Sequence, residues 1–380
     1  MAAPFQKDHQ FYRFAAYGFL KNLRFFEPFL ILFFRQQRLS FLEIGALFSI
    51  RAISTNILEI PSGLLADLRG RKICMVVSML AYLVSFFIFY LGGSFYIFAS
   101  AMVFFAGGEA FRTGTHKALI LEHLRRKKML DLRVDYYGST RAASQLGSAL
   151  NALLAAGLVF WSGDYRVIFL AALLPYFLNL INLAAYPASL DRGVGERGGR
   201  ETLKEFLSIF RRRPARRALL NSSVFDAFFK AGKEYLQPIL KSMALALPFF
   251  LTLTGPKRIA LLVGGVYFLI YLSTSWASRN AGRLSRGFGA PGRALNLTFW
   301  GGAVLLAAAG GFFLTGLPAI SVVLFLLLFV LQNARRPVNV AYLSEKISHR
   351  TMASGLSAES QIKTLLIAVL APATGFLADW

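Results

Sequence analysis

Stretches of about 20 mostly apolar residues recur along nearly the whole chain, and no other feature restricts its fold so severely. About 20 residues of helix cross the hydrocarbon core of a bilayer. Eleven such segments can be read, at 11–34, 39–66, 72–92, 95–123, 134–161, 165–187, 215–248, 258–279, 293–314, 318–345 and 351–378. Inside lipid the backbone must satisfy its own hydrogen bonds, which leaves helices or a closed barrel. Barrel strands alternate polar and apolar residues with period two, and runs such as 320–330 do not. The expectation is an all-α polytopic membrane protein. With 56% hydrophobic and 16% charged residues among 380, little is left for a soluble domain.

The formal charge of +23 would suggest a nucleic-acid partner in a soluble protein. Here the position of the charge gives another reading. With the N-terminus inside, most of the 42 Lys and Arg fall in the tail and loops of the cytoplasmic side, as the positive-inside rule requires. No folded basic domain remains to bind nucleic acid. The single cysteine, Cys74, excludes an internal disulfide, and four scattered histidines offer no metal-ligand spacing, so no cofactor or metal is expected. The N-terminal residues MAAPFQKDHQ lack the order of a cleaved signal peptide, which keeps the first segment as a helix of an integral plasma-membrane protein.

The longest polar stretch, 188–217, reads as a cytoplasmic linker between a bundle of six spans at 1–187 and a second of five at 218–380. Within it, Leu203, Phe206, Leu207 and Phe210 fall at helical spacing. They mark either an amphipathic helix on the membrane surface or a plain connecting helix.

Six spans, a linker and a second set form the plan of a two-bundle transporter, and Gly63–Lys72 makes the likeness specific. The run GLLADLRGRK, preceded by Glu59-Ile60-Pro61-Ser62, resembles the loop 2–3 signature of the major facilitator superfamily. The resemblance covers nearly the whole chain and implies that family's fold and solute transport by alternating access. It also implies that Gly63, Asp67, Gly70, Arg71 and Lys72 form a gating latch rather than a substrate contact. Physically, Gly63 permits close helix approach and Arg71 and Lys72 anchor a cytoplasmic turn. The counterpart in the second half, the loop Ser278–Gly289, has Arg279, Gly282, Arg283 and Arg286 but no Asp. The family has twelve spans, whereas this sequence stops at Trp380, where a twelfth would begin. Truncation and a natural variant with an external C-terminus both remain open.

Ionisable residues inside the spans cost roughly 2.5–3.5 kcal/mol each at mid-bilayer, so they must face the protein interior or water. Lys21, Arg24, Arg51, Arg112, Lys117, Arg141, Lys230, Lys233, Lys241, Arg335, Arg336 and Lys363 stand against Glu27, Glu59, Glu109, Asp226, Glu234 and Glu359. Helical spacing puts Arg24 with Glu27 on span one, and Arg51, Thr55 and Glu59 on span two. It groups Glu109, Arg112 and His116 on span four, Asp226, Lys230, Lys233 and Gln237 on span seven, and Arg335 with Asn339 on span ten. The family resemblance places spans one, four, seven and ten around the central cavity. For any one cation, pairing with a neighbouring acid explains as much as substrate binding; for the set, the cations are in excess, and such a cavity attracts anions.

The sequence therefore points to a secondary transporter of a small anionic or zwitterionic solute, working as a monomer. Arg24, Arg112, Lys230 and Arg335 are its foremost candidate contacts. Absence of a Gly-x-x-x-x-Gly-Lys loop argues against nucleotide hydrolysis. Glu27, Glu109, Asp226 and Glu359 are candidates to carry a coupled proton, and His116 is either a titrating or a structural group. Proton-coupled drug efflux is the rival within transport, although span five lacks the Gly-Pro motif the family resemblance would predict for it. A polytopic membrane enzyme and a non-transporting receptor are the rivals outside it; no reactive constellation stands out for the first.

Overall fold

The computed structural model describes residues 7–113, 115–129, 133–191, 213–248, 252–287, 291–346 and 352–380. Among them the helices are α1 (His9–Lys21), α2 (Leu30–Gln36), α3 (Phe41–Arg69), α4 (Arg71–Leu91), α5 (Phe95–Arg112), α6 (Thr115–Arg126), α7 (Arg133–Ser162) and α8 (Val167–Ala184). After the linker come α9 (Arg213–Gly232), α10 (Leu236–Ala246), α11 (Gly255–Gly287), α12 (Pro291–Leu314), α13 (Pro318–Lys346) and α14 (Met352–Asp379). The amphipathic stretch 201–210 lies outside the described residues. α11 continues to Gly287, so most of the stretch read as the loop Ser278–Gly289 has helical backbone instead.

Among the described residues eight helical stretches are long and apolar enough to cross a membrane: Phe41–Glu59, Arg71–Leu91, Ser139–Ser162, Val167–Ala184, Gly255–Ser278, Gly292–Leu314, Pro318–Asn339 and Ala358–Asp379. They correspond to eight of the segments expected from the sequence. The other three expected spans, the first, fourth and seventh, are each split. Span one breaks between Lys21 and Leu30, and span four at Thr113, whose backbone is extended. Span seven passes through a 3₁₀ turn at Lys233–Tyr235. The reading of these spans as continuous helices with uninterrupted polar stripes is therefore corrected. Lys21–Leu30 contains Pro28, which lacks an N–H, and Asn22 closes α1 by donating its side-chain amide to the Gly18 carbonyl at 2.7 Å.

The chain forms two compact units, Met1–Leu39 with Ile50–Glu196, and Ser40–Ser49 with Arg197–Trp380. In the first, α1 packs on α7 and α8, and α4 on α5 and α8. Its core is aromatic. Phe33, Phe89 and Phe169 meet with ring centroids 4.7 and 4.9 Å apart, joining α2, α4 and α8, each pair contributing about 0.5–1.5 kcal/mol beyond burial. In the second unit α9 packs on α13 and α14, and α13 on α11 and α12. Ala215, Ala218, Leu219, Leu343 and Ala358 form a small-residue core between α9, α13 and α14. The first turns of α3 belong to this unit; the Asp379 carboxylate accepts from Phe41 N–H at 2.8 Å and Leu42 N–H at 2.7 Å.

Close approach of α1 and α7 depends on glycine. A Cβ at Gly147 would stand 2.5 Å from the Phe19 carbonyl oxygen, and one at Gly18 2.3 Å from Ser144 Oγ. Gly147→Val is expected to lower stability by about 1–3 kcal/mol, because the obstructing atom is backbone. An unchanged thermal midpoint in detergent would show that the helices part freely.

Candidate functional site

The breaks decide where the polar side chains of the first unit stand. Arg24 and Glu27 do not share a helix face, as their spacing suggested; both lie on the non-helical turn between α1 and α2. Non-helical backbone at membrane depth is tolerated only inside protein or against water. The turn therefore presents Arg24 to the interior, where its electrostatic neighbours are Tyr176, Glu27, Tyr82 and Glu109.

Arg112 is the last residue of α5, and its neighbours are Tyr82, Tyr17 and Arg24. Its Nε donates to Tyr82 Oη at a long 3.4 Å. Arg51 of α3 stands 3.9 Å from a Glu109 carboxylate oxygen and 5.5 Å from the Phe105 ring centroid. Tyr82 of α4 and Tyr176 of α8 are wholly buried, with their rings edge to face at 5.2 Å. Tyr176 Oη donates to the Lys21 carbonyl at 3.0 Å, tying α8 to the end of α1. Three guanidinium groups thus gather with the carboxylates of Glu27 and Glu109. Arg24 Nε is buried without a hydrogen-bond partner among the described residues.

His116 starts a separate helix, α6, so the single stripe Glu109–Arg112–His116 does not form. Its ring stacks on Tyr17 at 3.8 Å, meets Phe14 edge-on at 5.5 Å, and has a nitrogen 3.4 Å from Tyr186 Oη. It packs the Tyr17 face of the cluster. Tyr17, Tyr82 and Tyr176 were missed by sequence reasoning. They come from three distant segments, and an aromatic residue in an apolar span carries no periodic signal that separates site from packing.

The second unit is organised differently. Arg335 of α13 is 3% exposed and its terminal nitrogens are occupied: Nη1 donates to Thr298 Oγ1 at 2.7 Å and to the Leu295 carbonyl, and Nη2 to the backbone and side-chain oxygens of Asn221. The guanidinium also lies 4.4 Å from the Phe225 ring centroid. It joins α9, α12 and α13. Asn339, one turn further on, donates to Ser222 and Glu359, while Asp226 accepts from Gln332 at 2.6 Å. Lys230 is exposed near the end of α9. Lys233 lies on the 3₁₀ turn and pairs with Glu234 at 2.9 Å, and Gln237 also donates to Glu234, at 3.0 Å. The expected stripe of Asp226, Lys230, Lys233 and Gln237 is interrupted there.

At the signature run, Gly70 has φ of 98°, the left-handed region that favours glycine, and separates α3 from α4. Arg71 and Lys72 open α4, and Lys72 Nζ donates to the Tyr186 carbonyl at 2.7 Å. The Asp67 side chain lies outside the description. A Cβ at Gly63 would meet nothing within 4 Å among the described residues, which show no close helix approach of the kind expected there. Among the described residues no cluster of three or more His, Cys, Asp or Glu is arranged to hold a metal.

Solved structures similar to this fold include transporters. A nucleoside transporter, NupG, superposes with a TM-score of 0.78 at 12% identity, covering 98% of this chain and 91% of its own. A bacterial homolog of the human lysosomal transporter Spinster, inward-facing and unoccupied, gives 0.71 at 17% identity over 98% of this chain and 83% of its own. A POT family transporter in complex with 5-aminolevulinic acid gives 0.68 at 13% identity over 95% and 88%. No curated protein matches the sequence. The sequence model of the Major Facilitator Superfamily matches residues 14–360, and with its apolar spans and this fold the chain is an integral membrane protein belonging to that family.

Proposed function

We propose that the protein is a secondary transporter of a small organic anion or zwitterion, driven by a cation gradient across the plasma membrane. The observation that carries this reading is the gathering of Arg24, Arg51 and Arg112 with the carboxylates of Glu27 and Glu109 among the described residues of the first unit. A carboxylate or phosphate supplies the missing negative charge, and a guanidinium fork donates two parallel hydrogen bonds to it. Arg24 Nε, buried without a hydrogen-bond partner among the described residues, adds hydrogen-bonding capacity beside them. Arg51 leans on Glu109, so Arg24 and Arg112 are the direct contacts and His116 backs Tyr17.

In the second unit Arg335 serves as a staple. Asn339, Asp226, Lys230 and Lys233 belong to the solute path or to ion coupling, with a proton as the first coupling ion to test. Glu27, Glu109, Asp226 and Glu359 are its candidate carriers. Asp67, Gly70, Arg71 and Lys72 form the cytoplasmic latch, with Gly63 at its start and the N-terminus on the same side. The protein works as a monomer and moves solute without covalent chemistry.

Thermal unfolding of the detergent-solubilised protein against organic anions, zwitterions, cations and neutral sugars tests the reading. A ligand at a hundredfold excess over its Kd stabilises by about 2.7 kcal/mol, a shift of a few degrees. Selective stabilisation by anions or zwitterions is expected; stabilisation by lipophilic cations alone would replace this reading with drug efflux.

A further inference from the structure

α7 and α8 follow each other in the chain, yet they part over the half of their length nearest the loop 163–166. The end of α1 and the turn after it lie at the bottom of the gap, with Leu23 and Phe25 as its floor. The groove is walled by residues between 153 and 162 of α7 and between 167 and 178 of α8, and it holds about 880 Å³, the size of a pocket for a small molecule. Gly157 deepens it, since a Cβ there would meet nothing within 4 Å among the described residues. Towards the other end α7 closes on α1, where Gly147 meets the Phe19 carbonyl, and the groove stops.

Its chemistry and length decide what can fill it. Water needs two to four polar partners. Ser162, the hydroxyl in the lining, already donates to the Leu158 carbonyl at 2.7 Å and accepts from Asp164 N–H at 3.2 Å. A transmembrane helix needs about 20 residues and the full ~30 Å of hydrocarbon. At 1.5 Å per residue the lining runs only about 14 Å along α7 and about 16 Å along α8, the depth of one leaflet. The open end has the marks of an interface: Trp161 is 83% exposed, and the loop beyond it carries Asp164 and Arg166. Both charged side chains are engaged locally, Asp164 accepting from Arg166 N–H at 3.0 Å and Arg166 donating to Gln37 Oε1 at 3.1 Å, so the groove selects a chain rather than a headgroup.

We infer that the groove between α7 and α8 binds an acyl chain of a bilayer lipid, lying along α8 with its headgroup at the loop 163–166, and that this chain braces the turn between α1 and α2. Bulk lipid is as apolar as the lining, so the preference comes from packing against Leu154, Leu174 and Leu178 rather than from transfer out of water. Leu23 and Phe25 stand on either side of Arg24, and occupancy therefore bears on where that guanidinium is held. The lipid site does not rest on the transport reading, which it touches only at Arg24.

The test needs no solute. The full chain is purified in a steroid detergent, which has no acyl chain to compete, and its thermal midpoint is followed as dioleoyl or dioctanoyl phosphatidylcholine is added. Gly157→Phe and Leu174→Trp fill the groove from its two walls; Gly310→Phe places the same ring on α12, where a Cβ also meets nothing within 4 Å among the described residues. Dioleoyl lipid is expected to raise the midpoint of the wild type and Gly310→Phe by several degrees, and dioctanoyl lipid by much less. The two filled variants should lose most of that gain while matching the wild type without lipid, because the new side chain takes the lipid's place. Hydrogen exchange at the amides of 23–27 should slow with dioleoyl lipid in the wild type and not in Gly157→Phe. Should Gly157→Phe fail to fold, Leu174→Trp decides both readouts. Equal gains in the filled variants and Gly310→Phe, or a gain that depends on headgroup and not on chain length, would overturn the site; unchanged exchange at 23–27 in the wild type would overturn the brace.

Discussion

Exchange of Arg112 for Gln is expected to weaken binding of the stabilising anion by about a hundredfold, or ~2.7 kcal/mol, while leaving the thermal midpoint of the empty protein nearly unchanged. The asymmetry follows from the geometry. Among the described residues Arg112 reaches only phenol oxygens, Tyr82 at a long 3.4 Å and Tyr17 beside it, so its removal leaves little unsatisfied in the empty protein. An anion held by its fork would lose both hydrogen bonds and charge. Arg112→Lys should fall between the two, because an ammonium keeps the charge but not the parallel donors. Anion affinity within twofold of wild type in Arg112→Gln would remove Arg112 from the site, and the same result with Arg24→Gln would remove the anion reading altogether.

Arg335 gives the opposite pattern. Arg335→Ala strips donors from Asn221, Thr298 and the Leu295 carbonyl, opens a void beside Phe225, and is expected to cost about 2–4 kcal/mol of stability. A lysine in its place has one ammonium and cannot reach acceptors on both α9 and α12, so Arg335→Lys should recover only part of the loss. The measurement is the thermal midpoint or retention of the monomer peak in detergent. A stable Arg335→Ala protein that has lost anion binding would reverse the assignment and make Arg335 a ligand contact.

These two residues show what the sequence could and could not convey. Both are arginines inside apolar spans, and on insertion energy alone both had to face the interior, as they do. Their different roles depend on partners from distant segments: Tyr82 and Tyr17 around Arg112, Asn221 and Thr298 around Arg335. The spans were legible because hydrocarbon thickness imposes a length that hydropathy reports directly. The breaks were not. Pro28 and Asn22 interrupt span one, yet both residues also occur within intact helices, as Pro61 and Asn56 do in α3. Once a helix breaks, the three-and-four spacing used to align Arg24 with Glu27, or Arg112 with His116, no longer applies. The cluster survives because the turn at 22–29 carries Arg24 into the interior by another route.

The same breaks bear on how the polypeptide is made. A segment leaving the ribosome enters the bilayer on its own only if its apolar surface outweighs its charges. Among the described residues, spans one, four and seven are the three without a helix long and apolar enough to cross on length and composition alone. Each is followed by apolar stretches that qualify: Phe41–Glu59 and Arg71–Leu91 after the first, Ser139–Ser162 and Val167–Ala184 after the fourth, Gly255–Ser278 and Gly292–Leu314 after the seventh. Through the first nine spans synthesis would then proceed in triplets, with a hesitant leading segment held at the insertion machinery until two strongly apolar followers secure it, whereas span ten, Pro318–Asn339, is apolar enough to lead on its own. The segments that carry the clustered arginines are on this account the ones its biogenesis must chaperone.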